Sequence, residues 1–262
     1  MVKHWFTWMM TLVVAQVAAQ SVVVDTIFAM QPWPPYEEFS FPHFTIPGQP
    51  QLAERIDRDI CIDLLEVDPD TAKGSIFQMA WGDPSHEMPQ RLNSITWSAS
   101  QPLPEVLSVM FSGEGCGAYC EGFTIHYNYD LRDGHRLEFD SLFTQKGRSA
   151  VDDTLRKIWQ AKVETQIQLV QDSLQVTDLS ADNKEWWQEA SDLYRQCLLE
   201  RADERPYVSD MEPLDRELRV DIARCSAHAN RNVDDLDEVS IDLPHAWLGP
   251  YLRPDVAPLF GK

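Results

Sequence analysis

The chain has 262 residues, 44% of them hydrophobic, which is enough for one sizeable core or two small ones and excludes a disordered chain. Asp and Glu number 42 against 22 Lys and Arg, and the formal net charge of −20 repels phosphate backbones and anionic lipid. Nucleic-acid binding is thus disfavoured on electrostatics alone; a solvated acidic surface accounts for the charge, with steering of a cationic partner as the functional alternative.

In chain order, the first element reads as an export signal. Lys3 supplies the positive end, Trp5 to Val14 the apolar stretch and Val17-Ala18-Ala19 the small-residue site, which places the cut after Ala19. Val22-Val23-Val24 lengthen the apolar run toward the ~20 residues of a spanning helix, so an uncleaved anchor competes with this reading. Gln16 and Gln20 interrupt that run, and no later segment is long enough to cross a bilayer. The expected location is periplasmic or secreted, with residues 1–19 as signal, 20–100 as an N-terminal α+β subdomain and 101–262 as a C-terminal α+β domain.

Export permits disulfides. The five cysteines all follow the signal, and Cys61 sits in a helical run with Ile56 and Ile60 on one face, where a buried free thiol is its expected role. The other four allow three connectivities; Cys116 with Cys120 and Cys197 with Cys225 is the pairing expected here.

Ser21 to Met30 predicts a first strand, and the prolines of Gln31 to Tyr36 an extended link. Phe39, Phe41 and Phe44 then alternate around Pro42. A helix is predicted from about Pro50 to Glu66, then a strand-like piece at Ser75 to Trp81 and a strand at Ser94 to Ser100. Leu107, Val109 and Phe111 alternate with polar residues, as do Phe123, Ile125, Tyr127 and Tyr129, which predicts strands with one buried face and leaves His126 on the solvent side. Between them Gly113 to Gly122 is too glycine-rich for strand and is expected to be a loop. Asp133-Gly134 predicts a hairpin leading to a third strand at Leu137 and Phe139, closing a meander.

Beyond Thr144 the period changes to about 3.6. Ser149 is the expected cap of a helix carrying Val151, Leu155, Ile158, Trp159, Val163, Ile167 and Val170, and a second helix runs from Trp186 through Leu199. Strands return at Glu217 to Ala223 and Glu238 to Leu243. The whole predicts an α+β protein, an antiparallel sheet or sheets with helices packed on one face.

The helix after Phe41-Pro42-His43-Phe44, the strand Leu107 to Phe111, Gly117-Ala118-Tyr119, Tyr127-Asn128-Tyr129-Asp130-Leu131 running into Asp133-Gly134, and the closing Gly249-Pro250-Tyr251-Leu252-Arg253-Pro254 together resemble a known family. It is the two-part extracytoplasmic module of uncharacterised domains that occurs in a lysozyme-sensing anti-sigma factor and beside the catalytic domain of a peptidoglycan deacetylase. The resemblance implies a binding or sensing module of the cell envelope, with a helix-covered sheet. The chain departs from it in carrying Cys120 where relatives often have histidine or proline, and in having no deacetylase metal motif.

The loop Glu114 to Glu121 is the candidate site. Glu114, Tyr119 and Glu121 are its candidate binding residues, because loops on rigid sheets carry function and tyrosine is a good contact residue; His228, in a segment that breaks the strand pattern, is the fourth. Two carboxylates flanking a substrate would also suit glycan hydrolysis, so a carboxylate-dependent hydrolase is the alternative, and a purely structural envelope protein the third. Cys116, Cys120, Cys225 and His228 form a set zinc accepts, but oxidation is the expected fate of exported thiols. No cofactor or metal is expected, and the expected partner is an envelope glycan or a basic, lysozyme-like protein.

Overall fold

The computed structural model describes residues 21–34, 36–82, 85, 90–117 and 119–261, with His228 and Ala229 described by their backbone only. The export signal and its cut after Ala19 lie outside the described residues. Strand β1 (Val23–Met30) pairs antiparallel with β2 (Glu38–Thr45), with Thr26 opposite Pro42. Phe39, Phe41 and Phe44 of β2 are buried, whereas β1 leaves Val23, Ile27, Phe28 and Met30 exposed. Helix α1 (Pro50–Leu65) turns Leu52, Ile56 and Ile60 onto those phenylalanines, a stripe at helical spacing. Cys61 lies on the same face, and burial pushes its thiol up to about 12. The strand expected at Ser75 to Trp81 is instead helical: α2 (Gln78–Trp81) follows a turn in which Ser75 Oγ accepts from the Phe77 N–H at 3.2 Å. Phe77, Ala80 and Trp81 stand at i, i+3 and i+4, and all three are buried, so a helical period decided the segment.

The central meander is β3 (Leu92–Leu103), β4 (Val106–Cys116) and β5 (Cys120–Asp130), in that order. Two expectations are corrected here. The glycine-rich stretch is mostly strand, with β4 and β5 paired out to Cys116 opposite Cys120. Close approach requires one of its glycines: a Cβ on Gly113 would stand 2.2 Å from the Ser94 carbonyl oxygen and 3.2 Å from the Phe123 ring. The meander's third strand is β3, not Leu137 to Phe139, which supplies a single bridge at Tyr129–Arg136 and a 3-10 turn, Phe139–Ser141. Only Gly134 of the Asp133-Gly134 pair has positive φ, at 75°, so a two-residue primed hairpin cannot form. The core around this meander continues across residue 100, with the Phe41 and Phe111 rings 5.6 Å apart.

The second core holds the two long helices and a separate sheet. Helix α3 (Gln145–Leu174) starts one turn earlier than expected, because Thr144 caps it by accepting from the Gly147 N–H at 3.0 Å; Ser149 lies inside the helix. Helix α4 (Ala181–Arg201) is capped by Ser180 and packs along α3. Strands β6 (Val208–Pro213), β7 (Glu217–Ile222) and β8 (Val239–Pro244) form an antiparallel sheet. Val151, Leu155, Trp159 and Val163 of α3 share a core with Leu218, Val220 and Ile222 of β7, so one face of this sheet carries the helices. Short helices α5 (His245–Leu248) and α6 (Ala257–Phe260) close the tail, and Phe143 bridges to Leu252. The architecture is α+β with antiparallel sheets. Among the described residues no helix is long and apolar enough to cross a membrane.

Candidate functional site: a cleft between the two cores

The β4–β5 hairpin stays paired with β3 out to Gly115, opposite Leu92, and its Glu121 meets the far half of the chain. Between them lies a cleft of about 860 Å³, within the size range of small-molecule sites. The end of α1 (Leu64, Glu66) and the start of β3 (Arg91, Leu92) form one wall, and the hairpin residues Gly115, Tyr119, Glu121 and Phe123 another. Arg224, which follows β7, Arg231 of the 3-10 segment His228–Val233, and Glu238 complete it. The Phe123 ring lies beside Gly115, its edge 3.7 Å from where a Cβ would stand, an ordinary contact. Tyr119 is half-exposed beside it.

The charges of the cleft are matched. Glu66 pairs with Arg91, and Glu121 with Arg231, while Arg224 reaches Glu121 at 3.9 Å and Asp237 at 3.1 Å. In a chain of net charge −20, this is a locally neutral recess lined by guanidinium groups.

The expected site residues separate. Residues opposite each other in an antiparallel pair share a face, and neighbours along a strand alternate. Glu114 is opposite Gly122 and Glu121 opposite Gly115, so the two glutamates leave the hairpin on opposite faces. Glu121 enters the cleft; Glu114 instead accepts from Asn93 at 2.5 Å on the reverse face. Two carboxylates so placed cannot flank one glycosidic bond from either side. Backbone at His228 opens the 3-10 segment, and its side chain lies outside the described residues. Cys116 and Cys120 are bonded to one another, Cα atoms 4.0 Å apart, so although Glu114, Cys116 and Cys120 cluster, their two sulfurs are engaged with each other. Cys197 is bonded to Cys225 and ties α4 to the loop that carries Arg224.

No family model matches the chain, and no curated protein is similar to it. Solved structures similar to it include two of the DUF3298 family. One is a DUF3298 family protein from Pseudomonas aeruginosa PAO1, at 13% identity and a TM-score of 0.48, covering 90% of this chain and 96% of that one. The other is a member of the DUF3298 family from Bacteroides fragilis, at 11% identity and a TM-score of 0.49, covering 92% and 97%.

Sequence reasoning missed Arg91, Arg224, Arg231 and Phe123 as cleft residues. The available signal was scarcity: basic residues are few in this chain, and Arg224 and Arg231 bracket the very segment singled out for His228. His126 was also misjudged. It was expected on the solvent side of β5, yet its side chain is 10% exposed, because β6 lies across that face. Asp210 of β6 accepts both the His126 backbone N–H at 2.9 Å and its ring Nδ1 at 2.5 Å, and Asn128 donates to the Met211 carbonyl at 2.7 Å. Burial opposes charge on the His126 ring, but the Asp210 bond and the fields of Asp210, Glu212 and Asp221 outweigh it, so its pKa is raised. This contact fixes the two halves on either side of the cleft.

Proposed function

We propose that the chain is an exported, non-enzymatic binding module of the cell envelope, and that an envelope glycan occupies the cleft between the two cores. The observation that carries this reading is the cleft itself: an apolar aromatic floor at Phe123, a half-exposed Tyr119 at the lip, and guanidinium and carboxylate groups converging around them. A sugar ring offers one face of C–H groups to an aromatic ring and a rim of hydroxyls to such groups, and ligand sites concentrate where two cores meet. The apolar N-terminal stretch, the disulfides and the resemblance of residues 107–143 to envelope modules support the location. A basic, lysozyme-like partner is less well supported, because Glu114 and Glu121 already have partners within the chain.

Titration of the purified mature protein with neutral N-acetylglucosamine oligomers, followed by calorimetry, tests the reading. Tyr119→Ala is expected to weaken binding by about tenfold, the loss of one aromatic contact, and Glu114→Gln to leave it unchanged. Equal affinity in the parent and Tyr119→Ala would remove the cleft from the argument. Turnover of the oligomer that disappears in Glu121→Gln would establish the hydrolase instead.

A further inference from the structure

The Glu121–Arg231 contact joins the two halves of the chain inside the cleft, and its composition says what kind of glycan belongs there. This step rests on the glycan-binding reading. Glu121 comes from the hairpin of the first core, and Arg224 and Arg231 from the second; all three line the cleft. None is sealed: the side chains are 36%, 24% and 28% exposed, and an ion pair at that exposure exchanges readily with solvent. Arg231 touches Glu121 directly, and Arg224 stands 3.9 Å from the same carboxylate oxygen while holding Asp237 at 3.1 Å. Two guanidinium groups thus stand beside one carboxylate oxygen, and the planar fork of arginine can take both oxygens of a carboxylate.

We infer that Arg224 and Arg231 form a carboxylate clamp, that Glu121 occupies it in the free protein, and that the ligand is a glycan bearing a carboxylate which takes the place of Glu121. Exchange then costs little: the outgoing Glu121 carboxylate, already part-solvated, passes to water, and the incoming one meets the same guanidinium groups. The cleft keeps its neutral balance with Arg91 and Glu66 on the other wall. No covalent bond is made or broken in the exchange; the Glu121 ion pair is replaced by one to the ligand. The sugar carrying the carboxylate lies toward Phe123 and Tyr119, which face the same opening.

The test uses the full mature protein and three probes: a neutral N-acetylglucosamine tetramer, a galacturonic acid tetramer, and an N-acetylglucosamine–N-acetylmuramic acid disaccharide, whose carboxylate comes from a lactyl ether. The protein is expected to bind at least one carboxylated probe about tenfold more tightly than the neutral one, and the probe preferred tells ring carboxylate from lactyl carboxylate. Arg231→Gln should abolish the preference, so that carboxylated and neutral probes bind alike. Glu121→Gln should tighten the carboxylated probe relative to the neutral one by several-fold to about tenfold, because the internal competitor has gone. Equal binding of neutral and carboxylated probes, or a Glu121→Gln variant that binds the carboxylated probe more weakly, overturns the clamp. If the probes bind equally and Tyr119→Ala weakens all of them, glycan binding stands without the clamp; if none binds, both readings fall.

Discussion

The contact between His126 and Asp210 sets up a stability measurement with a defined sign. Both side chains are nearly buried, at 10% and 9% exposure, and the aspartate accepts two hydrogen bonds from the one residue. Asp210→Asn keeps an acceptor oxygen but removes the charge that the protonated imidazole faces. Breaking a buried ion pair costs roughly 3–5 kcal/mol, and a hydrogen bond to a charged group contributes about 1.5–3 kcal/mol, so a variant that retains one neutral acceptor should lose about 2–3 kcal/mol at low pH. Glu212, 3.9 Å from Nε2, offsets only part of this because Arg219 also holds it. The pH dependence follows from the raised pKa of His126. Its contribution is fully present below the unfolded value of about 6.5 and is lost as pH rises through the folded value. Urea denaturation of parent and variant at a series of pH values from 5 to 9 reads both effects. The difference between them should be largest at the acid end and shrink toward the alkaline end. A difference below about 0.5 kcal/mol, the range of an ordinary surface change, or one that does not vary with pH, would refute the reasoning.

Three further outcomes are expected. Gly147→Ala should destabilise the fold by about 1–3 kcal/mol despite the better helix propensity of alanine, since its Cβ would meet the Tyr251 carbonyl oxygen at 2.2 Å; thermal unfolding reports this. Thr144→Ala should cost about 1 kcal/mol as a lost cap, whereas Ser149→Ala, inside the helix, should be close to neutral in the same assay. Replacing Cys197 and Cys225 by serine opens a sequence separation of 28 and should cost about 3–4 kcal/mol in chemical denaturation, against about 2 kcal/mol for Cys116 and Cys120 with a separation of 4.

Helices α1, α3 and α4 were legible in the sequence because their apolar residues recur at one period over many turns, and β5 because its aromatic residues alternate. Strand β6 was not. Its residues Ser209, Asp210 and Glu212 carry no apolar alternation, since Asp210 turns inward to meet a histidine rather than a hydrophobic face. The glycine-rich hairpin is strand for a related reason: Gly113 makes room for the neighbouring strand and the Phe123 ring, and a pattern of single residues does not report what lies alongside. The cleft depends on Arg91, Glu121 and Arg231, drawn from three distant stretches, and only folding brings them together. What the sequence could supply was Tyr119 and Glu121 on the hairpin and the neighbourhood of Arg224; it could not show that Glu114 faces the other way.

The outer strand β1 has a consequence for anyone concentrating the protein. Val-Val-Asp-Thr-Ile-Phe-Ala-Met holds one charge, no proline and no glycine, and Ile27, Phe28 and Met30 are left open to water. Such a margin is a template on which another molecule can crystallise its own backbone, so crowding should raise light scattering over time. Placing lysine at position 27 would blunt that tendency while leaving the cleft untouched.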